Sequence, residues 1–224
     1  MESESIDSEE PFITREKIKE RLLKGIIKNY YHAEANVFTP KYLKALEAGI
    51  LNCRYLDINN LNRDFVDTKG FSVVFKRNRL EQVKKQFPFF SQYLDFALDP
   101  FCNAFYLNPL LLVDNSKVEP HIDRSLRSYL KTIEPPLFVS VLYAKVPEDL
   151  NGGELVLVCN KKRVGEIKPK ANTLLFFQGH LTHSVNKVKS KGSRLSLVCE
   201  QYSLEENELD KIPEFLIESR KLKY

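Results

Sequence analysis

The sequence lacks the features that define membrane-spanning and disulfide-rich proteins. Its 224 residues contain no apolar run of about 18, the length that predicts a transmembrane helix. Its four cysteines, Cys53, Cys102, Cys159 and Cys199, are scattered and form no CxxC pair. This spacing predicts buried, reduced thiols in a cytoplasmic protein, rather than a disulfide framework or a zinc site.

Charge is nearly balanced, with a net charge of +4. The basic clusters at residues 76–79 and 187–194 indicate either solvated surface or weak attraction for an anionic partner. Neither cluster is interleaved with aromatic side chains, so nucleic acid is not an expected partner. The first ten residues hold five acidic and no basic side chains, which is unlike a targeting peptide. This composition predicts a mobile tail over residues 1–12.

Helical patterns dominate the chain before residue 100. Residues 14–31 place apolar side chains at helical spacing between charges. Thr39 followed by Pro40 is typical of a helix start, with a capping hydroxyl and then proline at the first helical position. We therefore predict a mainly helical region over residues 13–99 that covers one face of a sheet.

Two further patterns refine this region. Residues 52–70 are polar and are predicted to be irregular. Asn78, with Glu81 three residues later, predicts a second helix start. Pro88 is expected to break that helix, because proline lacks the backbone N–H that a helix interior needs.

After residue 100 the sequence changes to short apolar runs rich in β-branched and aromatic residues. The runs are FYLNPLLLV, LFVSVLYAKV, GELVLV, VGEIK, NTLLFFQ and RLSLVCEQY. Turn signals separate them at residues 114–116, 151–153, 168–172 and 191–193. This pattern predicts an α+β, mainly β fold with an antiparallel jelly-roll core over residues 100–203. Ser203 with Glu206 then predicts a helical C-terminal segment over residues 204–224.

The stretch VEPHID supplies the first two candidate metal ligands. His121 and Asp123 are two positions apart in a predicted strand, so their side chains project from the same face. A third ligand must come from elsewhere in the chain. The candidates are His180 and His183, which lie three apart, so a regular strand directs only one of them to the metal. Two histidines and one carboxylate on one face of a metal favour Fe(II) with open positions.

The order of these motifs resembles the 2-oxoglutarate/Fe(II)-dependent dioxygenase superfamily, in particular its prolyl-4-hydroxylase-like branch. That branch carries His-x-Asp, Gly-Gly-x-Leu, a small residue and Phe, His-x-Val, and Gly-x-Arg in this order. The resemblance covers roughly residues 100–203 and implies a cupin-like double-stranded β-helix. It implies that His121, Asp123 and His183 hold Fe(II), and it leaves His180 at the surface or at the rim of the substrate mouth.

The resemblance also assigns a site for the distal carboxylate of 2-oxoglutarate. Arg194 and Ser196 share one strand face, and an arginine fork pairs with a carboxylate through two hydrogen bonds. The resemblance implies that Arg194 holds this carboxylate, that Ser196 assists, and that Tyr143 hydrogen-bonds to it. The alternatives are an outward-facing Arg194 and a Tyr143 that only fills the core. Many relatives have a tyrosine ahead of the first metal ligand, where this chain has Leu111 and Leu112.

The chemistry implied is hydroxylation of an unactivated C–H bond, in which 2-oxoglutarate and O₂ are consumed and ascorbate can serve as a reductant. The carboxylate of Asp123 argues for hydroxylation, because halogenating relatives lack it. The primary substrate is expected to be a prolyl residue of a protein or peptide, or a small molecule. Residues 125–136 are a predicted lid. A cupin-like metal enzyme and a non-catalytic metal-binding barrel are the alternatives.

Overall fold

The structure is a computed structural model that describes residues 24–25, 28–59 and 64–222. Within these residues, twelve strands with antiparallel pairing form one sheet. The strands are β1 (Tyr31–Ala35), β2 (Asp57–Ile58), β3 (Phe65–Gly70), β4 (Ser72–Lys76), β5 (Ala104–His121), β6 (Phe138–Lys145), β7 (Leu155–Cys159), β8 (Lys162–Ile167), β9 (Thr173–Gln178), β10 (Thr182–Val185), β11 (Arg194–Tyr202) and β12 (Phe215–Glu218). The helices are α1 (Pro40–Leu51), α2 (Leu80–Gln86), α3 (Ser91–Ala97) and α4 (Glu206–Leu209).

Neighbouring strands of the main path run in the order β1-β9-β6-β11-β5-β10-β7-β8. The other four strands extend the sheet, because β3 and β4 pair with β5, β2 pairs with β3, and β12 pairs with β4. Non-consecutive neighbours of this kind are typical of jelly rolls. The predicted mainly β, jelly-roll core is therefore confirmed.

Strand β5 joins the two halves of this arrangement. Its first part, through Leu112, pairs with β11, and its last part, from Val118, pairs with β10. Asn115 lies between the two parts in the left-handed region, with φ 69°. The turn predicted at residues 114–116 is therefore an irregularity within one strand, which lets that strand pair in both halves.

Alternation along the strands divides their side chains between two cores. Val141 and Tyr143 of β6 pack in the interior cluster, together with apolar residues of β7, β9 and β10. Leu142 between them points to the opposite face and packs in a cluster shared with the helices. Side chains on the interior face are therefore buried, because the two halves of the sheet cover that face.

Two features of the helical region match the sequence patterns. The Tyr42 backbone N–H donates to the Thr39 hydroxyl at 3.3 Å, and Pro40 is the first residue of α1. Leu46 of α1 is fully buried in the cluster outside the sheet. A 3₁₀ turn at Pro88–Phe90 separates α2 from α3, so the predicted break is confirmed.

The helix cap predicted at Asn78 is wrong. Residues 77–79 form a 3₁₀ turn, and Arg79, which directly precedes α2, makes no capping bond with its side chain. The Asn78 amide instead donates to the Glu214 carboxylate at 3.1 Å. The tight turn therefore ties the start of α2 to the C-terminal segment.

Strands occupy two segments that were not predicted to contain them. Residues 52–70 include β2 and β3, and β3 pairs with β5. The described part of residues 13–99 thus mixes helices with strands β1 to β4. In the C-terminal segment only the short α4 is α-helical, and its cap is Glu205 rather than Ser203.

The run FLIE that follows α4 forms β12, with Phe215 opposite Phe75 of β4. So short an apolar run does not distinguish strand from helix, and the edge of β4 offers backbone partners that decide the outcome. The helix predicted over residues 14–31 lies largely outside the described residues. No helix in the described part of the chain has the length and apolarity needed to cross a membrane.

Candidate metal centre

Two neighbouring strands bring the three candidate metal ligands together. His121 is the last residue of β5, and Asp123 lies two residues further along the chain. His183 lies on β10, where it is the register partner of His121. Side chains of paired residues project from the same face of an antiparallel pair. The pairing of β5 with β10 therefore places the second histidine beside the His-x-Asp motif.

The three side chains form a compact cluster. Their ligand atoms all lie within 4.8 Å of one another. Asp123 stands between the two rings, with its oxygens 3.3 Å from His121 Nε2 and 3.4 Å from His183 Nε2. His183 and Asp123 are buried, and the side chain of His121 is 10% exposed. The cluster thus lies at the boundary between the interior and the solvent.

Backbone carbonyls orient both imidazole rings. His121 Nδ1 lies 2.8 Å from the Glu119 carbonyl, and His183 Nδ1 lies 3.1 Å from the Leu181 carbonyl. A carbonyl only accepts hydrogen bonds, so each Nδ1 carries the hydrogen. Each Nε2 is left with a lone pair directed at the cluster. Such outer partners fix the tautomer and orientation of metal-binding histidines.

The polar atoms at the centre of the cluster lack hydrogen-bond partners. His121 Nε2 and Asp123 Oδ2 are both buried and make no hydrogen bond of acceptable geometry with the described residues. Buried polar groups of this kind are costly unless something compensates them. A divalent cation bound by both atoms would supply that compensation. The donor set of two imidazole nitrogens and one carboxylate suits Fe(II) with open positions.

A metal binds the deprotonated form of each ligand. The surroundings of Asp123 and His183 favour that form. Burial alone raises the pKa of the Asp123 carboxyl, but His183 and His121 outweigh it and hold that pKa below its ordinary value. Burial lowers the pKa of His183. Burial also lowers the pKa of His121, but the nearby Asp123 carboxylate outweighs burial and raises it. A metal and a proton would therefore compete for Nε2 of His121, because only the neutral imidazole offers a lone pair there.

A cavity of about 50 Å³ connects the cluster to the barrel interior. Its lining includes all three candidate ligands and the three residues predicted to bind 2-oxoglutarate, namely His121, Asp123, His183, Tyr143, Arg194 and Ser196. Ser196 of β11 is the register partner of Tyr143 on β6, which places both side chains on the interior face. The structure therefore brings all six predicted site residues into one cavity.

Arg194 is held at this cavity by three contacts. Its Nε donates to Ser196 Oγ at 3.3 Å, and its Nη1 donates to the Gly153 carbonyl. Its guanidinium carbon lies 4.8 Å from the centre of the Tyr143 ring. In the described part of the chain no carboxylate forms an ion pair with this fully buried arginine. A buried cation without a counter-ion indicates an anion-binding site.

The Tyr143 hydroxyl is a second unsatisfied group at this cavity. It is buried and has no hydrogen-bond partner among the described residues. The outward orientation considered for Arg194 is wrong, because the residue is only 2% exposed and lines the inner cavity. A hydroxyl donor and a guanidinium on one cavity wall form a binding site for a carboxylate. Tyr143 also packs in the interior core, so both interpretations of this tyrosine describe part of its environment.

The Gly-Gly turn ahead of β7 has a structural role at this anion site. Gly152 and Gly153 have φ values of 75° and 74°, in the left-handed region. A Cβ at Gly152 would lie 2.1 Å from the Lys187 carbonyl oxygen. The close approach brings the Gly153 carbonyl within reach of Arg194.

His180 lies outside the cluster. It is exposed and sits in the turn before β10, whereas His183 is buried. His183 is thus buried and His180 is exposed, as expected, but the turn rather than strand alternation directs His180 to the solvent.

The β5 face beside the cavity is apolar where many relatives have a tyrosine. Leu110 lines the cavity, and Leu111 points to the opposite face, into the outer core. Tyr106 and Asn108 share the interior face with Leu110, but they lie further along the strand. The Tyr106 hydroxyl accepts a hydrogen bond from Ser72 at 2.6 Å.

Glu200 is a buried acidic residue that the sequence reasoning missed. It accepts hydrogen bonds from the backbone N–H of Ser125 (3.1 Å), the Ser125 hydroxyl and the Tyr202 hydroxyl. Burial and the charge of nearby Asp123 raise the pKa of Glu200 to about 8. The sequence did contain an indication of this position. Glu200 lies an even number of residues after Arg194 on β11, so both side chains project from the interior face.

Outside the cluster lies a larger cleft of about 570 Å³. His121 and Asp123 line both this cleft and the inner cavity. The other lining residues are Phe65, Tyr106, Ile122, Arg124, Ser125, Arg127, Ser128, Ile217, Glu218, Ser219 and Leu222. This volume is in the range of small-ligand sites. The candidate metal centre is therefore at the floor of an open cleft.

The predicted lid, residues 125–136, is anchored rather than free. Leu126, Leu130 and Ile133 are buried in a cluster with Tyr106 and Tyr202. Ser125 is tied to β11 through Glu200. This segment forms a fixed wall of the cleft, because its apolar side chains pack under it.

Comparison with known proteins agrees with this site. Residues 108–199 match the family model described as the 2OG-Fe(II) oxygenase superfamily. That segment runs from β5 to β11 and contains all six predicted site residues. No curated protein sequence matches significantly.

Solved structures share the fold at low sequence identity. A prolyl-4-hydroxylase from Pseudomonas putida has a TM-score of 0.57 at 15% identity, over 83% of this chain and 99% of that one. A prolyl hydroxylase from Trichoplax adhaerens, in complex with a hypoxia inducible factor peptide fragment, has a TM-score of 0.61 at 15% identity, over 87% and 92%. The carbocyclase SnoK from nogalamycin biosynthesis has a TM-score of 0.61 at 12% identity, over 92% and 99%.

Residues 108–199 therefore resemble the 2OG-Fe(II) oxygenase superfamily. That family implies Fe(II) and 2-oxoglutarate as cofactors and O₂ as the co-substrate, and the cluster of His121, Asp123 and His183 is compatible with iron. The similar solved structures include both hydroxylases and a carbocyclase, so the fold alone leaves the reaction on the primary substrate open.

Proposed function

We propose that this oxygenase hydroxylates an unactivated C–H bond, with a prolyl residue of a protein or peptide as the favoured target. One observation carries the proposal. The cluster of His121, Asp123 and His183 stands between an inner cavity with a buried arginine and an open outer cleft. Such a site can hold a metal, a cosubstrate behind it and a substrate in front of it.

We assign His121, Asp123 and His183 as the iron ligands. Their Nδ1 hydrogens are engaged by carbonyls, so the two histidines offer only Nε2 to the metal. Bound iron and 2-oxoglutarate would supply the oxidising chemistry with O₂. The role of the chain is to hold three ligand atoms on one side of the ion and leave the cleft side open.

We assign Arg194, Ser196 and Tyr143 to the distal carboxylate of 2-oxoglutarate. Arg194 is already oriented by Gly153 and Ser196, so little rotamer freedom is lost when the anion binds. Tyr143 would donate its unpartnered hydroxyl to the same carboxylate. The arrangement selects an acid long enough to reach from the metal ligands to the buried guanidinium.

Hydroxylation is supported by the ligand set and by the walls of the cavity. Asp123 occupies the carboxylate position that hydroxylating members keep. The apolar side chains of Leu110 and Val198 line the inner cavity and exclude water from it. Water exclusion protects a reactive oxidant from side reactions, so C–H bonds in the cleft become its target.

A peptide or protein target is supported by the shape of the outer cleft. The cleft is open, and both the turn Ser125–Ser128 and the end of β12 line it. An extended segment could enter it and bring one side chain to the metal ligands. The peptide-bound neighbour is a precedent for that fold, and at 15% identity it assigns no substrate to this chain.

The test is turnover on proline-containing peptides. The iron-loaded enzyme would be mixed with 2-oxoglutarate, O₂, ascorbate and a library of such peptides. Succinate release and the gain of one oxygen atom by the peptide would be measured together by mass spectrometry. The proposal predicts that both products appear in matched amounts in wild type and that both are lost in His183→Ala.

His180→Ala is the matched control, because it removes an exposed histidine near the same strand. It should retain both products. Succinate release without oxidation of any prolyl peptide would reject the prolyl target while leaving the oxygenase assignment in place. Oxidation that continues in His183→Ala would reject the ligand assignment.

A further inference from the structure

Two arginines stand at the rim of the metal cluster and have no role in the site described so far. Arg124 directly follows Asp123, and Arg127 lies in the 3₁₀ turn Ser125–Ser128. Both residues are exposed, and both line the outer cleft together with His121 and Asp123. A group bound at the metal therefore lies beside two guanidinium side chains.

The turn that carries these arginines is rigidly attached to the core. Leu126, between them in sequence, is fully buried, and Leu130 is 5% exposed. The Glu200 carboxylate accepts hydrogen bonds from the Ser125 backbone N–H and hydroxyl. The arginines therefore project from a fixed base, which reduces the entropy cost of using them to bind a ligand.

Neither arginine is neutralised by the protein. In the part of the chain that the structure describes, no carboxylate forms an ion pair with Arg124 or Arg127. Glu218 also lines the cleft, but it accepts a hydrogen bond from the Tyr129 hydroxyl at 2.5 Å. Two cations and one engaged carboxylate leave this part of the cleft positive.

The bound cofactors would not cancel this charge. The charges of Fe(II), the Asp123 carboxylate, the 2-oxoglutarate dianion and the Arg194 cation sum to zero. The loaded inner site is therefore neutral, and the positive potential of Arg124 and Arg127 remains in the cleft. Charge in a partly enclosed cleft attracts ligands of opposite sign.

We infer that the primary substrate carries a carboxylate, which Arg124 and Arg127 bind beside the iron site. Ile217 and Leu222 also line the cleft, so apolar atoms of the substrate would contact these side chains. Arg124 and Arg127 are assigned as specificity-determining residues. The inference rests on the proposed oxygenase function and adds the chemical class of its substrate.

A carboxylate could belong to a small acid or to a glutamate or aspartate side chain of a peptide. Two pairs of probes separate these sources. The first pair is N-acetyl-L-proline and N-acetyl-L-prolinamide. The second is acetyl-Ala-Glu-Pro-Glu-Ala-amide and acetyl-Ala-Gln-Pro-Gln-Ala-amide. Within each pair the shape is closely matched and only the charge differs.

Binding would be measured by calorimetry on the full chain loaded with Fe(II) and 2-oxoglutarate under argon, so that no turnover occurs. For at least one pair, the inference predicts that the anionic member binds on the order of tenfold more tightly. The preference should fall to about twofold or less in the double variant Arg124→Gln/Arg127→Gln. It should also weaken as salt rises, because the arginines are exposed.

Arg163→Gln is the control variant, since Arg163 is an exposed arginine of β8 that does not line the cleft. It should keep the full preference. Equal binding of both members in each pair, no binding of any probe at millimolar concentration, or a preference that persists in the double variant would each overturn the inference.

The loading step separates this inference from the proposed function. The 2-oxoglutarate titration that precedes each experiment depends on the inner cavity and not on Arg124 or Arg127. Failure to bind 2-oxoglutarate would count against the cofactor assignment. Normal 2-oxoglutarate binding without a charge preference would count against the carboxylate-bearing substrate alone.

Discussion

His121 and His183 face each other across the antiparallel pair β5 and β10, with ring centroids 4.3 Å apart. Asp123 lies within 3.4 Å of both Nε2 atoms. Sixty-two positions of chain separate the two histidines in the sequence (183 − 121), yet strand register makes them direct partners. The metal site is therefore a product of β pairing.

Metal binding should stabilise the protein through this cluster. A ligand that binds only the folded state adds about 2.7 kcal/mol at a hundredfold excess over its Kd. We expect Mn(II), which replaces Fe(II) and is not readily oxidised by air, to raise the Tm of wild type in a scanning calorimeter. Asp123→Asn should abolish most of that rise, because the amide is a poor ligand between two imidazoles. An equal rise in the variant would place the metal elsewhere.

Tyr143→Phe distinguishes a cosubstrate-binding tyrosine from one that only fills the core. The lost hydroxyl has no partner, so the free energy of unfolding should stay within about 0.5 kcal/mol of wild type or increase slightly. The affinity for 2-oxoglutarate should fall by about 3- to 10-fold. Urea unfolding and anaerobic titration measure the two quantities. Unchanged 2-oxoglutarate affinity would leave Tyr143 with a packing role alone.

Arg194→Lys should weaken 2-oxoglutarate binding on the order of 10- to 100-fold, because an ammonium cannot reproduce the two-point contact of a guanidinium. The same titration measures this loss. Arg163→Lys, at an exposed position outside the cavity, is the control and should bind as wild type does. Wild-type affinity in Arg194→Lys would show that the distal carboxylate is held by other groups.

Glu200 should make the stability of the metal-free protein fall as pH rises. Its pKa is raised to about 8 in the folded state, above the ordinary value of 4.5. The folded protein therefore retains a proton that the unfolded chain releases between these values. Its stabilising contribution is complete below about pH 4.5 and is lost as pH rises through 8. Urea midpoints of wild type and Glu200→Gln across this range should diverge, with the variant showing the flatter curve.

The comparison between wild type and Glu200→Gln isolates this residue from the other titrating groups. Both proteins keep His121, Asp123 and His183, so the difference between the two curves reports Glu200 together with its coupling to His121 and Asp123. Parallel curves would mean that Glu200 is ionised in the folded protein at neutral pH.

Gly152→Ala should destabilise the fold by about 1–3 kcal/mol, because the left-handed φ and the close Lys187 carbonyl both oppose a side chain. Thermal unfolding measures the cost. Gly192→Ala is the control, because its nearest contact is a Pro147 side-chain carbon at 3.0 Å, and its cost should be smaller. A neutral Gly152→Ala would show that the turn can shift without strain.

Most of the candidate site was readable from the sequence because its elements are local patterns. The i, i+2 spacing of His121 and Asp123 places them on one face, and the same rule pairs Arg194 with Ser196. The expectation that only one of His180 and His183 faces the metal also agrees with the structure, although His180 lies in a turn, where strand alternation does not apply.

Features that depend on long-range pairing could not be predicted in this way. β12 forms because an edge of β4 is available, and no local signal in FLIE specifies that edge. The anchoring of residues 125–136 depends on Glu200, some 75 positions away. The sequence predicted a turn at Asn115. In the structure β5 continues through this residue, because it pairs with β11 on one part and with β10 on the other.

Anaerobic titration of the Fe(II)-loaded protein with 2-oxoglutarate tests the central claim most directly. Chelation of iron by the keto acid gives a weak visible charge-transfer band. The account predicts that this band appears in wild type and in His180→Ala, and that it is absent in His183→Ala. Absence of the band in wild type, or its survival in His183→Ala, would contradict the assignment of this cluster as the iron and 2-oxoglutarate centre.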